Sequence, residues 1–316
     1  TFPERLVREE MHRRGVEEML DDDTIEMLGD FEDETVFAGH ELSRRLFGSR
    51  EEMLSLTVHD IRSWHRRMVR SPIVISVVGN VDPKNVGQLF RRKFGRVRTD
   101  GRLAWRPFRS TQHRARLRLV PWPTQLVHIV VATLVTFGLG DRRRIVLSAL
   151  NNHLGEGSRW SSRLQMRFVG KQKLVYGVGS NAWNFRDAGT LTTTTQCEPE
   201  HVETVLNGIA AEYVRLRDQR LTAQELELAL KSLIELSEDR SLDPVRYATF
   251  LGEQTYIAGG PITHEMFVER IAEEVSVESI QRLARLLLRR ERTSIILVGQ
   301  VKRLNRKNIL RAVEDL

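Results

Sequence analysis

The chain has 316 residues, enough for two domains of ordinary size or for one large domain with a well-buried core. Hydrophobic residues make up 41% of it, no apolar stretch is long enough to span a membrane, and its single cysteine cannot form an internal disulfide, so a membrane-spanning helix, a disordered polymer and a disulfide scaffold are excluded. The net charge of +7 conceals an acidic block, residues 1–60 with 17 acidic and 7 basic side chains, and a basic block, residues 61–120 with 16 basic and 2 acidic side chains.

The first hundred residues are predicted to be mostly helical. The motif Thr1-x-x-Glu4 has the form of a capping box, which opens a helix, and the β-branched apolar run at 72–79 predicts a strand. In chain order, the predicted elements are helices over 4–20, 24–35, 50–54 and 57–69, a strand over 72–79 and a helix over 82–94.

The remaining residues alternate between strand and helix patterns. The predicted elements are strands over 115–120 and 126–134, helices over 140–153 and 158–168, strands over 174–185 and 189–196, helices over 199–219, 222–238, 244–258, 265–273 and 276–289, a strand over 293–299 and a helix over 303–314. This order predicts an α+β fold with mixed, largely antiparallel sheets and several helices packed on them.

Two segments about 220 residues apart carry the same pattern. SPIVISVVGNV at 71–81 and RTSIILVGQV at 292–301 both end in Val-Gly-(Asn/Gln)-Val, and their glycines, Gly79 and Gly299, are 220 positions apart. Thr57 and Ser276, 219 positions apart, each stand as an N-cap before a helical pattern. Landmarks that recur in constant order and spacing predict two homologous domains.

The repeat also predicts the domain boundaries. Residues 1–100 are expected to form the C-terminal half of the first domain, 101–114 an Arg- and Trp-rich connector, and 115–316 a complete second domain. If the second copy begins near Gln112, the same spacing puts the start of the first copy well before Thr1. We therefore expect roughly 100 residues of the first domain to precede this sequence.

Side chains that carry chemistry give weaker signals by themselves. None of the nine histidines has another at i+4, the spacing that turns two imidazoles toward one metal, so surface and capping roles are favoured for them. No nucleophile elbow, P-loop or dinucleotide fingerprint is present. Glu10 and Glu17, seven residues apart, lie on nearly the same stripe of the first predicted helix, and composition alone favours a solvated acidic face there.

Taken together, the segments resemble the zinc peptidases of the pitrilysin, insulinase and mitochondrial processing peptidase family. The resemblance rests on VREEMHRRGVEEMLDDDTIEML, on VFAGHELSRRLFGSREEMLSLTVHDIRSWHRRM, on IVISVVGNVDPKNVGQLFRRKFG and, in the second domain, on GEGSRWSSRLQMRFVGKQKLVYGVGS. The motifs occur in the family's order and span nearly the whole chain. The resemblance implies two homologous domains of the metallohydrolase-like, ferredoxin-like type.

The family's chemistry depends on an inverted H-x-x-E-H helix and on a distal glutamate as third zinc ligand. The resemblance implies that the H-x-x-E-H segment, with its general base, lies before Thr1, and that Zn²⁺ is the cofactor. It implies Glu18 as the third ligand, with Glu17 as the rival because Glu10 lies seven residues before it, at the spacing of a residue that supports the ligand.

Active single-chain members also carry an Arg and a Tyr, seven residues apart, that contact the substrate. The resemblance puts Tyr176 at the Tyr position and Val169 at the Arg position, while Arg167 stands two positions early. Tyr176 is therefore a predicted substrate-binding residue, although a buried strand aromatic is an equal alternative. In two-subunit members the zinc motif and the Arg/Tyr pair belong to different chains, so a broken pair favours the catalytic subunit of a heterodimer.

The leading hypothesis is thus a zinc-dependent endopeptidase subunit that cleaves unfolded, precursor or leader peptides in a chamber formed with a homologous partner. The partner would supply the Arg/Tyr pair, and a homodimer is less favoured. The alternative is a non-catalytic partner subunit that binds peptide without metal.

Nucleic-acid binding through the basic block is disfavoured, since pairing with the acidic helix of the same domain or of a partner is its more ordinary use. The Arg-rich composition with one cysteine favours a bacterial cytoplasm.

Overall fold

The computed structural model describes residues 2–20, 24–45, 48–99, 105–156, 162–172 and 174–316, without the side chains of 14–20, 24–26, 50, 172 and 258. The helices in these ranges are α1 (Glu4–Leu20), α2 (Thr24–Val36), α3 (Arg50–Ser55), α4 (Val58–Met68), α5 (Pro83–Phe94), α6 (Arg143–Leu154), α7 (Arg163–Gln165), α8 (Val202–Asp218), α9 (Ala223–Leu242), α10 (Pro244–Ala258), α11 (His264–Glu274), α12 (Val277–Leu287) and α13 (Arg306–Arg311). The strands are β1 (Arg116–Pro121), β2 (Val127–Val135), β3 (Val178–Asn184), β4 (Gly189–Cys197) and β5 (Thr293–Gly299). None of the described helices is long and apolar enough to cross a membrane.

The five strands form one mixed sheet in the order β1-β5-β2-β4-β3. β1 runs parallel to β5, and the other neighbouring pairs are antiparallel. β5 lies between β1 and β2, and all of its residues are buried, as expected for a continuous apolar run. β1 and β3 are the edges of the sheet. The predicted α+β class, with helices packed on a mixed sheet, is confirmed.

Alternate residues of β2 face two different apolar cores. Ile129 and Val131 belong to the larger core, which they share with residues of α6, α8 and α12. Val130 and Leu134 belong to a smaller core on the other face, where Phe31 of α2 packs against the sheet. The alternation follows from the two-residue period of a strand. Helices therefore cover both faces of the sheet.

Polar contacts between the acidic and basic blocks fix α2 on the sheet. Arg118 forms an ion pair with Glu34 at 2.7 Å, and its guanidinium lies over the ring of Phe31 at 4.6 Å. Arg116 Nη1 donates a hydrogen bond to the carbonyl oxygen of Thr35 at 2.5 Å. These contacts join the acidic and basic blocks through α2, whereas the pairing predicted for the acidic first helix, over 4–20, stays a prediction.

The strand predicted over 72–79 does not form. Residues 73–78 have no regular secondary structure, and no strand among the described residues pairs with them. Four apolar side chains of this segment are exposed, namely Ile73, Val74, Ile75 and Val77. A β-branched run becomes a strand only when neighbouring strands accept its backbone hydrogen bonds, and the described residues supply no such neighbour.

The segment before β3 also differs from its prediction. In place of a helix over 158–168, the described part contains the short α7 followed by a π-helix, Met166–Gln172, and β3 begins at Val178 instead of at 174. Arg163 and Arg167 both reach Glu212 of α8, at 2.9 Å and 2.8 Å, and tie this segment to a distant helix. Helix propensity depends on residues near in sequence and cannot reveal a contact with a distant helix.

Candidate functional site

The predicted metal ligands lie on α1. Glu10 is exposed and accepts hydrogen bonds from Arg13 Nε at 2.9 Å and from Arg13 Nη2 at 2.5 Å. Glu17 and Glu18 lie near the C-terminal end of the helix, and their side chains lie outside the described residues. The roles predicted for these three carboxylates therefore remain predictions.

No group of three His, Cys, Asp or Glu side chains in the described part of the chain is arranged to hold a metal ion. The resemblance assigns both histidine ligands and the general base to a segment that this sequence does not contain.

Tyr176 lies in the loop just before β3. Its side chain is 88% exposed. A tyrosine that is packed into a core loses nearly all of its exposure, so the alternative of a buried strand aromatic is wrong. The predicted role of Tyr176 in substrate binding remains a prediction, and the side chain is accessible for it.

The two residues near the predicted Arg position both face the protein. Val169 packs against the larger core. Arg167 Nη1 donates a hydrogen bond to Glu212 Oε1 at 2.8 Å, and its guanidinium lies 5.8 Å from the centre of the Phe168 ring. Arg167 therefore ties the π-helix to α8, which is a structural role.

Arg163 and Glu212 form a buried ion pair, with Arg163 Nε donating to Glu212 Oε2 at 2.9 Å. Burial alone would raise the pKa of Glu212, but the contacts with Arg167 and Arg163 outweigh it and hold that pKa below its usual value. Burial, reinforced by the charge of Arg163, lowers the pKa of His153 to about 4. His153 is therefore neutral near pH 7 and accompanies a structural network.

A cleft of about 1430 Å³ lies between the edge strand β3 and helices α6, α9 and α10. Its apolar lining includes Trp183 of β3, Leu233 and Leu236 of α9 and Phe250 of α10. Trp183 is 58% exposed, an unusual state for a large aromatic side chain on a strand. Concave, largely apolar sites with a few charged groups are where proteins bind ligands.

One edge of β3 faces this cleft. The N–H of Ser180 donates to the carbonyl oxygen of Gly155, on the side away from β4. Backbone groups of a strand alternate in direction, so those of Ala182 and Asn184 also point away from β4. Both residues line the cleft, and no other described strand pairs with them. An open strand edge of this kind can accept an extended peptide as a further strand.

The cleft also contains half-buried positive charge. Arg144 of α6 and Arg240 of α9 both line it. Burial, followed by the charges of Arg240 and Arg270, lowers the pKa of Arg144 to about 10. The Arg240 guanidinium lies 4.5 Å from the centre of the Phe250 ring, and burial lowers its pKa too. Both arginines remain charged near pH 7, so the cleft presents two cations to a ligand beside the carboxylates of Glu156 and Glu253, which also line it.

The sequence does not single out Arg144, Arg240 or Trp183 as site residues. The only local signal for Arg144 is the run Arg142-Arg143-Arg144 at the start of a helix, and which of the three arginines turns inward depends on where that helix begins and what packs on it. The edge position of β3 was equally hidden, because strand order is a tertiary property.

The family model described as "Peptidase M16 inactive domain" matches residues 55–233. An uncharacterized zinc protease of Mycobacterium tuberculosis is 30% identical over 287 residues, which cover 88% of this chain and 64% of that protein. An uncharacterized zinc protease of Streptomyces coelicolor is 27% identical over 291 residues, which cover 90% of this chain and 62% of that protein. The chain thus spans less than two thirds of the length of these curated relatives.

Two solved structures share the fold at low sequence identity. A protease from Helicobacter pylori superimposes with a TM-score of 0.80 at 18% identity, covering 95% of this chain and 73% of that one. A peptidase M16 inactive domain from Pseudomonas fluorescens gives a TM-score of 0.77 at 17% identity, covering 95% of this chain and 71% of that one. The predicted family is confirmed: this chain belongs to the M16 peptidase family and contains the domain that its family model describes as inactive.

Proposed function

We propose that the chain is a subunit of a zinc-dependent endopeptidase that cleaves unfolded or precursor peptides inside a chamber formed with a partner subunit. The observation that carries this proposal is the open edge of β3 beside the large cleft, since it offers a binding mode for extended peptides. The names of the relatives, zinc proteases at 27% to 30% identity, support it.

The part of the binding that the described residues can perform follows from β3. A peptide added beside Ala182 and Asn184 would exchange backbone N–H and C=O hydrogen bonds with the strand, which requires no particular side chain. Trp183, in the same cleft, offers an apolar surface to a side chain of the peptide. We expect such a site to hold unfolded chains of varied sequence.

The zinc chemistry would depend on a segment that this sequence does not contain. We propose Glu18, or Glu17, as its third ligand on α1, with Glu10 supporting the ligand. Inductively coupled plasma mass spectrometry of the native protein is expected to find about one Zn²⁺ per full-length chain, and Glu18→Gln is expected to remove proteolysis. Full proteolysis with both Glu17→Gln and Glu18→Gln would contradict this assignment.

The partner is inferred from the residue at the Arg position. Val169 packs into the core, and Arg167 is held by Glu212, so neither described residue offers a guanidinium beside Tyr176. We therefore propose a heterodimer in the bacterial cytoplasm, with the partner subunit supplying an Arg/Tyr pair. The expected measurement is a 1:1 complex of two different chains by native mass spectrometry.

We also propose the predicted domain organisation, with 1–100 as part of a first domain, 101–114 as a connector and 115–316 as a second domain. The connector contacts support a fixed junction, because Trp105 Nε1 and the Phe108 N–H donate to Asp187 Oδ2 at 3.1 Å and 2.9 Å. On this proposal, the unpaired run at 72–79 would be a strand of the first domain's sheet.

A non-catalytic peptide-binding subunit is the second candidate. It is favoured by the description of the matching family model as inactive. Zinc content distinguishes the two candidates: bound peptide without stoichiometric zinc in the native protein would support the second and contradict the first.

The strand-addition step can be tested at one residue. Ala182→Pro removes the N–H that points toward the cleft, and an edge strand tolerates proline at such a position. Ala182→Gly keeps the N–H and serves as the matched control. We expect Ala182→Pro to weaken the binding of a labelled unfolded peptide about tenfold, by fluorescence anisotropy, and Ala182→Gly to change it little. Equal binding by both variants would exclude β3 as the peptide edge.

A further inference from the structure

The cleft holds a guanidinium without a carboxylate partner. Arg144 lines both the main cleft and a smaller adjoining pocket, which Arg270 of α11 also lines. None of the ion pairs among the described residues includes Arg144. The charged groups that act most strongly on it are two further arginines, Arg240 and Arg270. Its neighbours on the chain are different, since Arg142 pairs with Glu274 at 2.5 Å and Arg143 with Asp141 at 2.7 Å.

This arrangement is unfavourable without an anion. Burying a cation costs free energy unless a counter-charge accompanies it, and like charges nearby add repulsion. Arg144 also lies in the first turn of α6, where the helix dipole favours negative charge and disfavours positive charge. The half-buried position of Arg144, the two arginines that line the same pockets and the start of a helix together make this point in the cleft attractive to an anion.

The side chains around Arg144 indicate where the anion would come from. Arg240 is influenced by two carboxylates, Glu156 and Glu253, whereas no acid is among the charged groups acting on Arg144. The open edge residues Ala182 and Asn184 line the same cleft as Arg144. A peptide hydrogen-bonded to β3 would therefore bring its own charged groups into the space that Arg144 lines. The planar guanidinium matches a carboxylate in a two-point contact.

We propose that Arg144, with Arg240 beside it, is the subsite that binds a carboxylate of a peptide held along β3, so that the chain prefers acidic peptides or peptide C-termini to neutral ones. This rests on the proposed peptide-binding function and names its substrate class. The shared chemistry is one carboxylate, which an Asp or Glu side chain or the C-terminal group can supply.

The test uses the native full-length protein and three labelled peptides of equal length in fluorescence anisotropy. One peptide carries a glutamate and an amidated C-terminus, one is neutral with a free C-terminus, and one is neutral with an amidated C-terminus. We expect one or both carboxylate peptides to bind about tenfold more tightly than the neutral amide, and the stronger of the two identifies the source of the carboxylate.

Two variants assign the preference to a residue. Arg144→Gln is expected to remove the tenfold preference while the affinity for the neutral amide stays the same. Arg142→Gln removes the same charge from an exposed, ion-paired arginine two residues away and is expected to retain the preference. Because Arg144 is half-buried and lies near other arginines, Arg144→Gln is also expected to unfold at the same temperature as the wild type or at a higher one, which separates lost binding from lost folding.

The outcomes separate this proposal from the one on which it rests. Equal binding of all three peptides by the wild type would overturn the carboxylate subsite and leave the peptide-binding function standing. A preference that survives Arg144→Gln would overturn the assignment to Arg144. Absence of binding for every peptide would overturn the proposed function and the subsite together.

Discussion

Two regions with nearly the same sequence pattern differ in secondary structure and burial in this molecule. The run at 71–81 and the run at 292–301 both contain β-branched residues followed by Val-Gly-(Asn/Gln)-Val. In the second, Ile295 is fully buried within β5, which has strands on both sides. In the first, the counterpart Ile75 is 45% exposed and its segment has no described partner strand. The local sequence gives an extended backbone in both places, and neighbouring strands decide whether it is buried.

The two glycines that end these runs sharpen the comparison. Gly79 and Gly299 both have positive φ, 153° and 135°, which side-chain-bearing residues rarely adopt. A Cβ on Gly299 would lie 2.4 Å from the carbonyl oxygen of Leu126, whereas a Cβ on Gly79 would have no described heavy atom within 4 Å. Both glycines have a positive φ, but only Gly299 has neighbouring atoms packed closely against it.

The largest difference is expected for the paired isoleucines. Ile295→Ala removes three buried methylene-sized groups from the larger core and is expected to lower the free energy of unfolding by about 3 kcal/mol. In this chain of 316 residues, Ile75→Ala is expected to lower it by less than about 0.5 kcal/mol, because the side chain is already half-exposed. Urea denaturation followed by circular dichroism measures both. Similar losses would mean that Ile75 is buried in solution, which would break the comparison.

The paired glycines should differ by less. Gly299→Ala brings a methyl group against backbone and demands an unfavourable φ, and a loss of about 2 kcal/mol is expected. Gly79→Ala meets the φ penalty alone, so about 1 kcal/mol is the upper expectation. Thermal unfolding of both variants beside the wild type checks the order. The comparison fails if Gly79→Ala is the more damaging substitution.

Helix caps test the two regions through a local contact. Ser276 and Thr57 both form capping boxes, in which the hydroxyl accepts a hydrogen bond from the backbone N–H three residues on. Ser276→Ala is expected to cost about 1 kcal/mol of global stability. Thr57→Ala is expected to leave global stability unchanged, since no residue of α4 is buried, and to speed amide hydrogen exchange in α4 about fivefold. Protected α4 amides in both proteins would contradict this.

The smallest effect concerns α2, the helix of the first hundred residues that does pack on the sheet. Burial, then the charges of Glu32 and Asp30, raises the pKa of Asp33 to about 7. The folded state therefore retains a proton that the unfolded state releases, and the stability from this group is present below about pH 4 and is lost as the pH rises through about 7. Asp33→Asn should reduce the fall in the free energy of unfolding over this pH range. The reduction should be less than about 1 kcal/mol, because the group is partly exposed. Denaturant midpoints at pH 5 and pH 8 provide the measurement.

The elements that the sequence predicted best are those whose determinants are local. α9 begins within a residue of its predicted start, behind a capping box of Thr222 with Glu225, and β2 and β5 occupy their predicted apolar runs to within a residue. Periodicity and caps depend on neighbours within four positions, which the sequence displays directly. The fold class followed from the order of such elements.

What the sequence did not reveal depends on distant residues. The run at 72–79 has the composition of a strand but no described partner, and the π-helix forms where Arg163 and Arg167 meet one glutamate on α8. The candidate site was missed for the same reason. Its principal cation, Arg144, is one of three consecutive arginines, and only packing determines that it enters the cleft while Arg142 and Arg143 find carboxylates at the surface.

The hydrogen bond from Ser180 to Gly155 has a kinetic consequence. It occupies one end of the exposed side of β3, so the outward N–H and C=O groups of β3 that line the cleft and can bind an added peptide are those of Ala182 and Asn184. Four such bonds contribute about 4 kcal/mol, which is comparable to the lower estimates of the entropy lost on association. Backbone pairing alone would then give short residence times. A peptide held here must owe its lifetime to side-chain contacts, and a product that loses those contacts on cleavage would depart quickly.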